Sequence, residues 1–319
     1  MKHTELKNLL LLFLTAMIWG AAFVAQSAGM DYVGPFTFLS ARSFLGGIFL
    51  LPCIRFLDKL NTVDNTPRKA DCRSNRKQLL LGGSCAGLVL MLASSLQQIG
   101  ILYTTVGKAG FLTAMYVIIV PFLGVFLLHQ KLEKRIWVCV LLAVCGMALL
   151  CLNGSARLQL GDALELLCAL AFSIHILVLD HFTSKVDPVR LSCIQFFVCG
   201  IFSAIPMLLL EHPTIHVLLA AWLPIAYAGI LSSGVAYTLQ AIAQKKCDPT
   251  LASLVMCLES VFSAVFGWLI LHQALSLREG IGCILMFAAI VLANLPGKKH
   301  DTAISQNQKT YQHKERKNI

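Results

Sequence analysis

Two charged side chains fall inside runs of residues otherwise too apolar for water: Arg42 lies within about a turn of the middle of one run and Glu259 near the middle of another. A charge at the centre of a bilayer costs ~2.5–3.5 kcal/mol on insertion scales, so such residues face a cavity or a partner. Arg42 reads first as structural, because an always-charged planar guanidinium suits a carboxylate or the carbonyls at a helix end. Glu259 supports two readings. It is either a protonated or hydrogen-bonded packing group, or a carboxyl that exchanges a proton with a cavity. Contact between the two would lower the desolvation cost of each. His175 is a further titratable group in an apolar run, and its neutral and charged forms interconvert near physiological pH. It reads as a packing residue or as a second proton carrier.

Catalysis has a weaker claim on these residues. His175 and Asp180 stand five apart, the HxxxxD spacing of glycerolipid acyl transfer. Five residues of regular helix turn through about 500°, which leaves the pair ~140° apart. The sequence holds no HExxH, GxSxG or CxxC string in its place. No catalytic residue, metal site or cofactor is therefore expected.

Polar and aromatic residues three, four or seven apart share a helix face. Such stripes are Trp19, Phe23 and Gln26; Ser94 with Gln97 and Gln98; Thr113 with Tyr116; Glu165, Cys168, Phe172 and His175; and Ser233, Tyr237, Gln240 and Gln244. One stripe reads as helix–helix glue. Five on different helices point to a shared wet or aromatic-lined cavity, so Trp19, Phe23, Gln26, Gln97, Tyr116, Phe172, His175, Tyr237 and Gln240 are the expected substrate pathway. Arg42 and Glu259 are the expected charge pair or coupling groups. The glycine pair Gly83 and Gly87, and Gly229 with Ser233, read as close-approach packing.

The elements that carry these residues must lie in lipid. In 319 residues the hydrophobic share is 57% and the charged share 13%, with mean hydropathy +0.74, which excludes a water-soluble core and surface. A helix needs ~20 apolar residues to span the hydrocarbon. Such runs fall at approximately 9–30, 34–56, 78–102, 106–128, 136–152, 161–183, 188–210, 222–244, 250–271 and 277–295. The expected fold is an all-α polytopic membrane protein of ten transmembrane helices. The first run follows Lys2 and Lys7, and Ala25 to Ala28 would offer a cleavage site, but it is long enough to span and is expected to stay. The twelve cysteines lack a CxxC pair and lie mostly in apolar runs, so they read as reduced packing residues.

Lys and Arg collect on the cytoplasmic side. Of 26, all but four lie on the side of the amino terminus; Lys108, Arg157 and Arg278 fall opposite and Arg42 inside a span. Both termini are expected in the cytoplasm. This asymmetry accounts for the net charge of +10 without a nucleic-acid partner. The basic tail at 297–319 has membrane lipid as its expected contact.

The chain also repeats itself. A shift of 143 superposes Gly124, Leu128, His129, Gln130 and Leu132 on Gly267, Leu271, His272, Gln273 and Leu275, and Tyr116 on Glu259. A shift of 153 sets Pro35, Phe44 and Gly47 on Pro188, Phe197 and Gly200, and Arg42 on Gln195. Five spans per copy is an odd number, so two repeats, 1–152 and 153–296, must be inverted around a central cavity. Secondary transporters build two alternative gates in this way.

Several stretches then carry a family resemblance: Trp19 to Val24, Gly34-Pro35-Phe36 with Arg42, Phe111 to Pro121, Leu231 to Tyr237, and Leu258 to Ala264. Over residues 9–295 the chain resembles the drug/metabolite transporter superfamily, specifically bacterial EamA-type permeases with two five-helix repeats. His-Gln stands where the family usually has Gly-Glu after its fourth and ninth helices. The resemblance implies ten helices around a cavity, the fifth and tenth peripheral, in a bacterial inner membrane. It does not name a substrate. Together these observations predict a secondary transporter, an exporter by family likeness, of small neutral, zwitterionic or hydrophobic solutes, acting as a monomer or homodimer, with proton coupling as an open option. The rival within transport is a carrier of a phosphorylated metabolite or nucleotide sugar, for which clustered cations would be needed. An intramembrane acyl-transfer enzyme is the rival from another class.

Overall fold

A computed structural model describes residues 3–63, 72–104, 106–128, 134–151, 160–271 and 277–294. The HQxL strings at 129–132 and 272–275 and the tail at 297–319 lie outside the described residues. In chain order the helices are α1 (His3–Gly29), α2 (Pro35–Val63), α3 (Cys72–Gly100), α4 (Val106–Thr113), α5 (Tyr116–Leu128), α6 (Lys134–Cys151), α7 (Leu160–Thr183) and α8 (Pro188–Pro206). They continue as α9 (Ile215–Ala220), α10 (Trp222–Ala226), α11 (Tyr237–Gln244), α12 (Pro249–Met256), α13 (Glu259–Leu271) and α14 (Leu277–Asn294). Among the described residues every regular element is helical.

Eight stretches are long and apolar enough to cross a bilayer: Leu6–Gly29, Pro35–Lys59, Arg76–Gly100, Ala109–Phe126, Leu160–Thr183, Pro188–Glu211, Trp222–Gln244 and Pro249–Ile270. The protein is therefore a polytopic membrane protein. Its outward faces carry Leu81, Phe126, Leu209 and Leu210, all exposed, while Glu165, His175 and Gln195 are 0% exposed. Apolar side chains face out and polar ones in, as suits a surrounding of lipid.

Local chemistry starts and breaks the helices. Asp187 Oδ1 accepts from the N–H groups of Val189 (3.1 Å) and Arg190 (3.0 Å) ahead of Pro188. Asp248 Oδ1 does the same for Thr250 (2.9 Å) and Leu251 (3.3 Å) ahead of Pro249. In both, an N-cap carboxylate is followed by a proline that has no donor to waste.

Two of the expected unbroken spans are divided. The run 106–128 breaks at Ala114–Met115 between α4 and α5, and the run 250–271 at Cys257–Leu258 between α12 and α13. Adding 143 to the first pair gives the second, so the breaks occupy equivalent repeat positions. At the first, Met115 N–H bonds Leu112 O (3.2 Å) and Val117 N–H bonds Ala114 O (3.0 Å), tighter turns than the regular ladder. At the second, Ser253 Oγ donates to Thr250 O (2.8 Å) and Cys257 Sγ to Leu254 O (2.9 Å), local bonds that compete with the regular ladder.

The run 222–244 is also irregular, because Tyr227–Ala236 forms a π-helix between α10 and α11. This wide segment meets α2 at glycine on both sides. A Cβ on Gly46 would lie 2.8 Å from Ser233 Cβ and 2.9 Å from Gly229 O, and one on Gly229 3.0 Å from Arg42 O. Thr15 Oγ1 donates to Ala236 O at 3.2 Å, tying α1 to the end of the π turn.

Contacts among the helices recur in pairs. α1 packs on α12, α13 and the α10–α11 span, while α7 packs on α4, α5 and α3. α2 packs on α8, α6 on α14, α4 on α13 and α5 on α12. The α2–α8 pair is fastened at both ends. At one, Arg190 Nη2 donates to Asp58 Oδ1 (2.9 Å) and Oδ2 (2.8 Å). At the other, Glu211 receives the N–H of Phe36 (2.9 Å), the N–H of Thr37 (2.7 Å) and the Thr37 hydroxyl (2.6 Å), a carboxylate on a helix N-terminus.

Candidate functional site

One cavity is lined by Trp19, Ala22, Phe23 and Gln26 of α1, Arg42 of α2 and Gln97 of α3. Its other walls are Thr113, Tyr116, Phe172, His175, Ile176, Ser232, Tyr237, Gln240, Met256 and Glu259. Every residue singled out above as pathway or charge pair lies on this wall. Neither α6 nor α14 contributes to it.

The helix breaks set its floor. Thr113 ends α4 and Tyr116 begins α5; Met256 ends α12 and Glu259 begins α13. At such ends the backbone turns side chains inward that a continuous helix would spread around its circumference. Glu259 and Tyr116 both line this floor, and the Tyr116 hydroxyl and Glu259 Oε1 are without a hydrogen-bond partner among the described residues.

Tyr237 is the hub of the aromatic wall. Its ring centroid lies 4.6 Å from that of Trp19, 5.5 Å from Phe196 and 5.9 Å from His175, distances at which offset or edge-on rings attract. Its position follows from the first residue of α11 emerging from the π turn. That turn also moves the neighbouring serine. The 3.6-residue spacing singled out Ser233, but Ser232 lines the cavity, because a π-helix turns through a smaller angle per residue. Gln244, the last member of that stripe, instead lies near Ile176 O at 3.5 Å.

Arg42 donates to Gln26 Oε1 at 3.1 Å and stands over the Phe38 ring at 5.9 Å. Arg42 and Glu259 share the cavity, but no hydrogen bond joins them among the described contacts. His175 Nε2 lies 3.1 Å from Gln195 Oε1. The two bonds correspond: Arg42 and Gln195 are the pair superposed by the shift of 153, and each reaches the preceding helix. Asp180 does not line the cavity with His175.

Buried polar atoms without a protein partner include Trp19 Nε1, the Tyr116 hydroxyl, His175 Nδ1, Gln240 Oε1 and Glu259 Oε1. All belong to lining residues, and each is a bond on offer to a polar solute. Glu165 was legible only as a member of a stripe. It is fully buried, and its Oε2 accepts from Thr113 Oγ1 at 2.8 Å just behind the wall. A carboxyl in an apolar run was the available signal, and nearness to the run's end obscured it.

Residues 6–152 and 159–295 each match the model of the EamA-like transporter family. The chain belongs to this family. Among curated relatives, this EamA-like protein is 27% identical over 284 residues to an uncharacterized transporter of Archaeoglobus fulgidus, covering 89% of this chain and 84% of that one. It is 21% identical to the uncharacterized transporter YoaV of Bacillus subtilis, over 86% and 92% of the two chains. A protein of known crystal structure shares the fold with TM-score 0.72 at 18% identity, over 90% of this chain and 96% of that one. Family and relatives together identify a membrane transporter.

Proposed function

We propose that this EamA-like transporter exports small neutral, zwitterionic or hydrophobic metabolites or drugs by alternating access around the cavity, coupled to protons. The observation that carries this is the cavity's chemistry: one guanidinium, one carboxyl, a histidine and amides set in an aromatic wall, all at membrane depth. A zwitterion matches the two charges, and the rings accept an apolar body. Recognition of a phosphorylated metabolite calls for clustered cations, whereas the cavity offers Arg42, already bonded to Gln26.

Ten spans in two inverted repeats, 1–152 and 153–296, are part of this reading. The equivalent helix breaks, the matching packing of α1 on α12 and α13 and of α7 on α5 and α4, and the crossing that sets α4 on α13 and α5 on α12 support it. So does the correspondence of the Arg42–Gln26 and Gln195–His175 bonds. The same reading puts both termini in the cytoplasm of a bacterial inner membrane, the basic tail 297–319 against lipid, and the protein as a monomer or homodimer.

Metabolite and toxicity profiling of cells lacking and overproducing the protein tests it. Compounds that accumulate inside deletion cells and outside overproducing cells should then show saturable counterflow in proteoliposomes. Unchanged profiles together with acyl-transfer activity of purified protein would replace the reading with an enzyme.

A further inference from the structure

The cavity has a second carboxyl behind it, and a file of polar groups leads to that carboxyl from the end of a helix. Gln97 Nε2 and Thr113 Oγ1, both on the wall, are 3.3 Å apart, and Thr113 Oγ1 donates to Glu165 Oε2 at 2.8 Å. One turn earlier on the same face of α7, Asp162 is 2% exposed and accepts from Thr104 Oγ1 at 2.8 Å. Thr104 is half-buried at the helix end.

Two glycines bring these groups together. A Cβ on Gly100 would lie 2.6 Å from Glu165 Oε1, and one on Gly161 2.8 Å from Gly100 O. α3 therefore passes close enough to α7 for the carboxyl to fit between them. Glu165 is 0% exposed and its Oε1 has no hydrogen-bond partner, which leaves one oxygen able to take a proton. The groups that bear on Glu165 are Asp162 and Cys168 of α7, Thr113 of α4 and Glu259 at the start of α13. α3 faces it with uncharged Gln97 and Gly100; the side chain of Lys108 on α4 lies outside those described.

We propose that Glu165 is a proton-relay carboxyl separate from Glu259, connecting the α7 amino-terminal end, through Thr104 and Asp162, to the cavity, through the Thr113 hydroxyl that Gln97 orients. A hydroxyl that donates to one group while accepting from another can hand a proton along without moving, and carboxyls that change protonation on either side give the file a beginning and an end. The inference deepens the proton-coupled transport reading and rests on it for its physiological purpose, but not for its test.

Infrared spectroscopy of the purified full-length protein in lipid, transferred from H2O to D2O, reads carboxyl groups without any solute. Glu165→Gln should remove one exchangeable carboxyl band that Glu259→Gln retains. Thr113→Val should shift that band and Thr113→Ser restore it. Asp162→Asn should slow its exchange at least about tenfold, which a purely structural hydrogen bond would not do. A Glu165→Gln spectrum superimposable on the wild type, or exchange in Asp162→Asn at the wild-type rate, overturns the proposal. If Glu165→Gln fails to fold, the Asp162→Asn and Thr113→Ser measurements still decide. Failure of the transport reading would appear instead as absent solute counterflow, with the infrared result intact.

Discussion

Tyr116 and Glu259 each stand first after the break in their own helix, at positions one repeat length apart, and both line the same cavity. A phenol on one side answers a carboxyl on the other. The two halves are thus alike in backbone and unlike in chemistry at this point of the cavity wall.

On the proposed proton coupling, that inequality makes Glu259 the residue to test. Glu259→Gln keeps shape and hydrogen bonding but fixes the neutral state. In proteoliposomes loaded with a solute found by profiling, it is expected to abolish accumulation driven by a pH gradient and to spare solute exchange. Accumulation that still follows the pH difference would return Glu259 to a structural role.

Tyr237 joins the rings of Trp19, His175 and Phe196, and Gln240 offers an unpartnered Oε1. Replacing either by alanine should lower transport about tenfold, equivalent to ~1.4 kcal/mol, with abundance in the membrane near normal. Transport assays scored beside immunoblots check this. Loss of folded protein at both positions would mean that the stripe is packing alone.

The Gly46–Gly229 contact should tolerate no added bulk. Gly46→Val forces α2 from the π segment and is expected to destabilise by ~1–3 kcal/mol, read as a lower thermal midpoint in detergent. Arg42 sits one turn away, so the same variant should weaken transport before it unfolds.

Topology has its own test. Cysteines introduced on a cysteine-free background at 57–77, 129–135 or after 297 should resist labelling from outside, and cysteines at Ala156 or His272 should react. Labelling of the tail in intact cells would sink the ten-span, inverted arrangement, because an even number of spans keeps both ends on one side.

Much of this was legible in the sequence because lipid leaves few choices: backbone must be helical, and polar side chains must turn from the tails. The faces bearing Trp19, Phe23 and Gln26, or Phe172 and His175, follow from helical spacing, and the cavity they line was anticipated. Spacing failed where the helix is not regular. The break before Glu259 goes with Ser253 and Cys257 bonding to nearby carbonyls, and a hydropathy run registers neither that effect nor the tight turn before Tyr116. The π segment put Ser232 where Ser233 was expected for the same reason. Glu165 stood in the sequence only as one member of a stripe, and its burial depends on the close approach of α3 at Gly100, a tertiary contact that spacing along one helix does not carry.

The fastenings of the α2–α8 pair are unequal. Asp58 and Arg190 have side chains 51% and 47% exposed, so their attraction is worth ~0–1 kcal/mol and fades with salt. Glu211 holds three donors in a half-buried setting, and losing it would strand the α2 terminus at about 1–3 kcal/mol. If opening one face undoes one fastening and opening the other undoes its counterpart, the two orientations differ in free energy, and the empty carrier has a resting posture. Microscopic reversibility forbids such a bias from deciding where solute finally accumulates. It governs tempo instead: which half of the cycle is slow, how the two apparent affinities differ across the bilayer, and why raising ionic strength should quicken one limb and leave the other almost untouched.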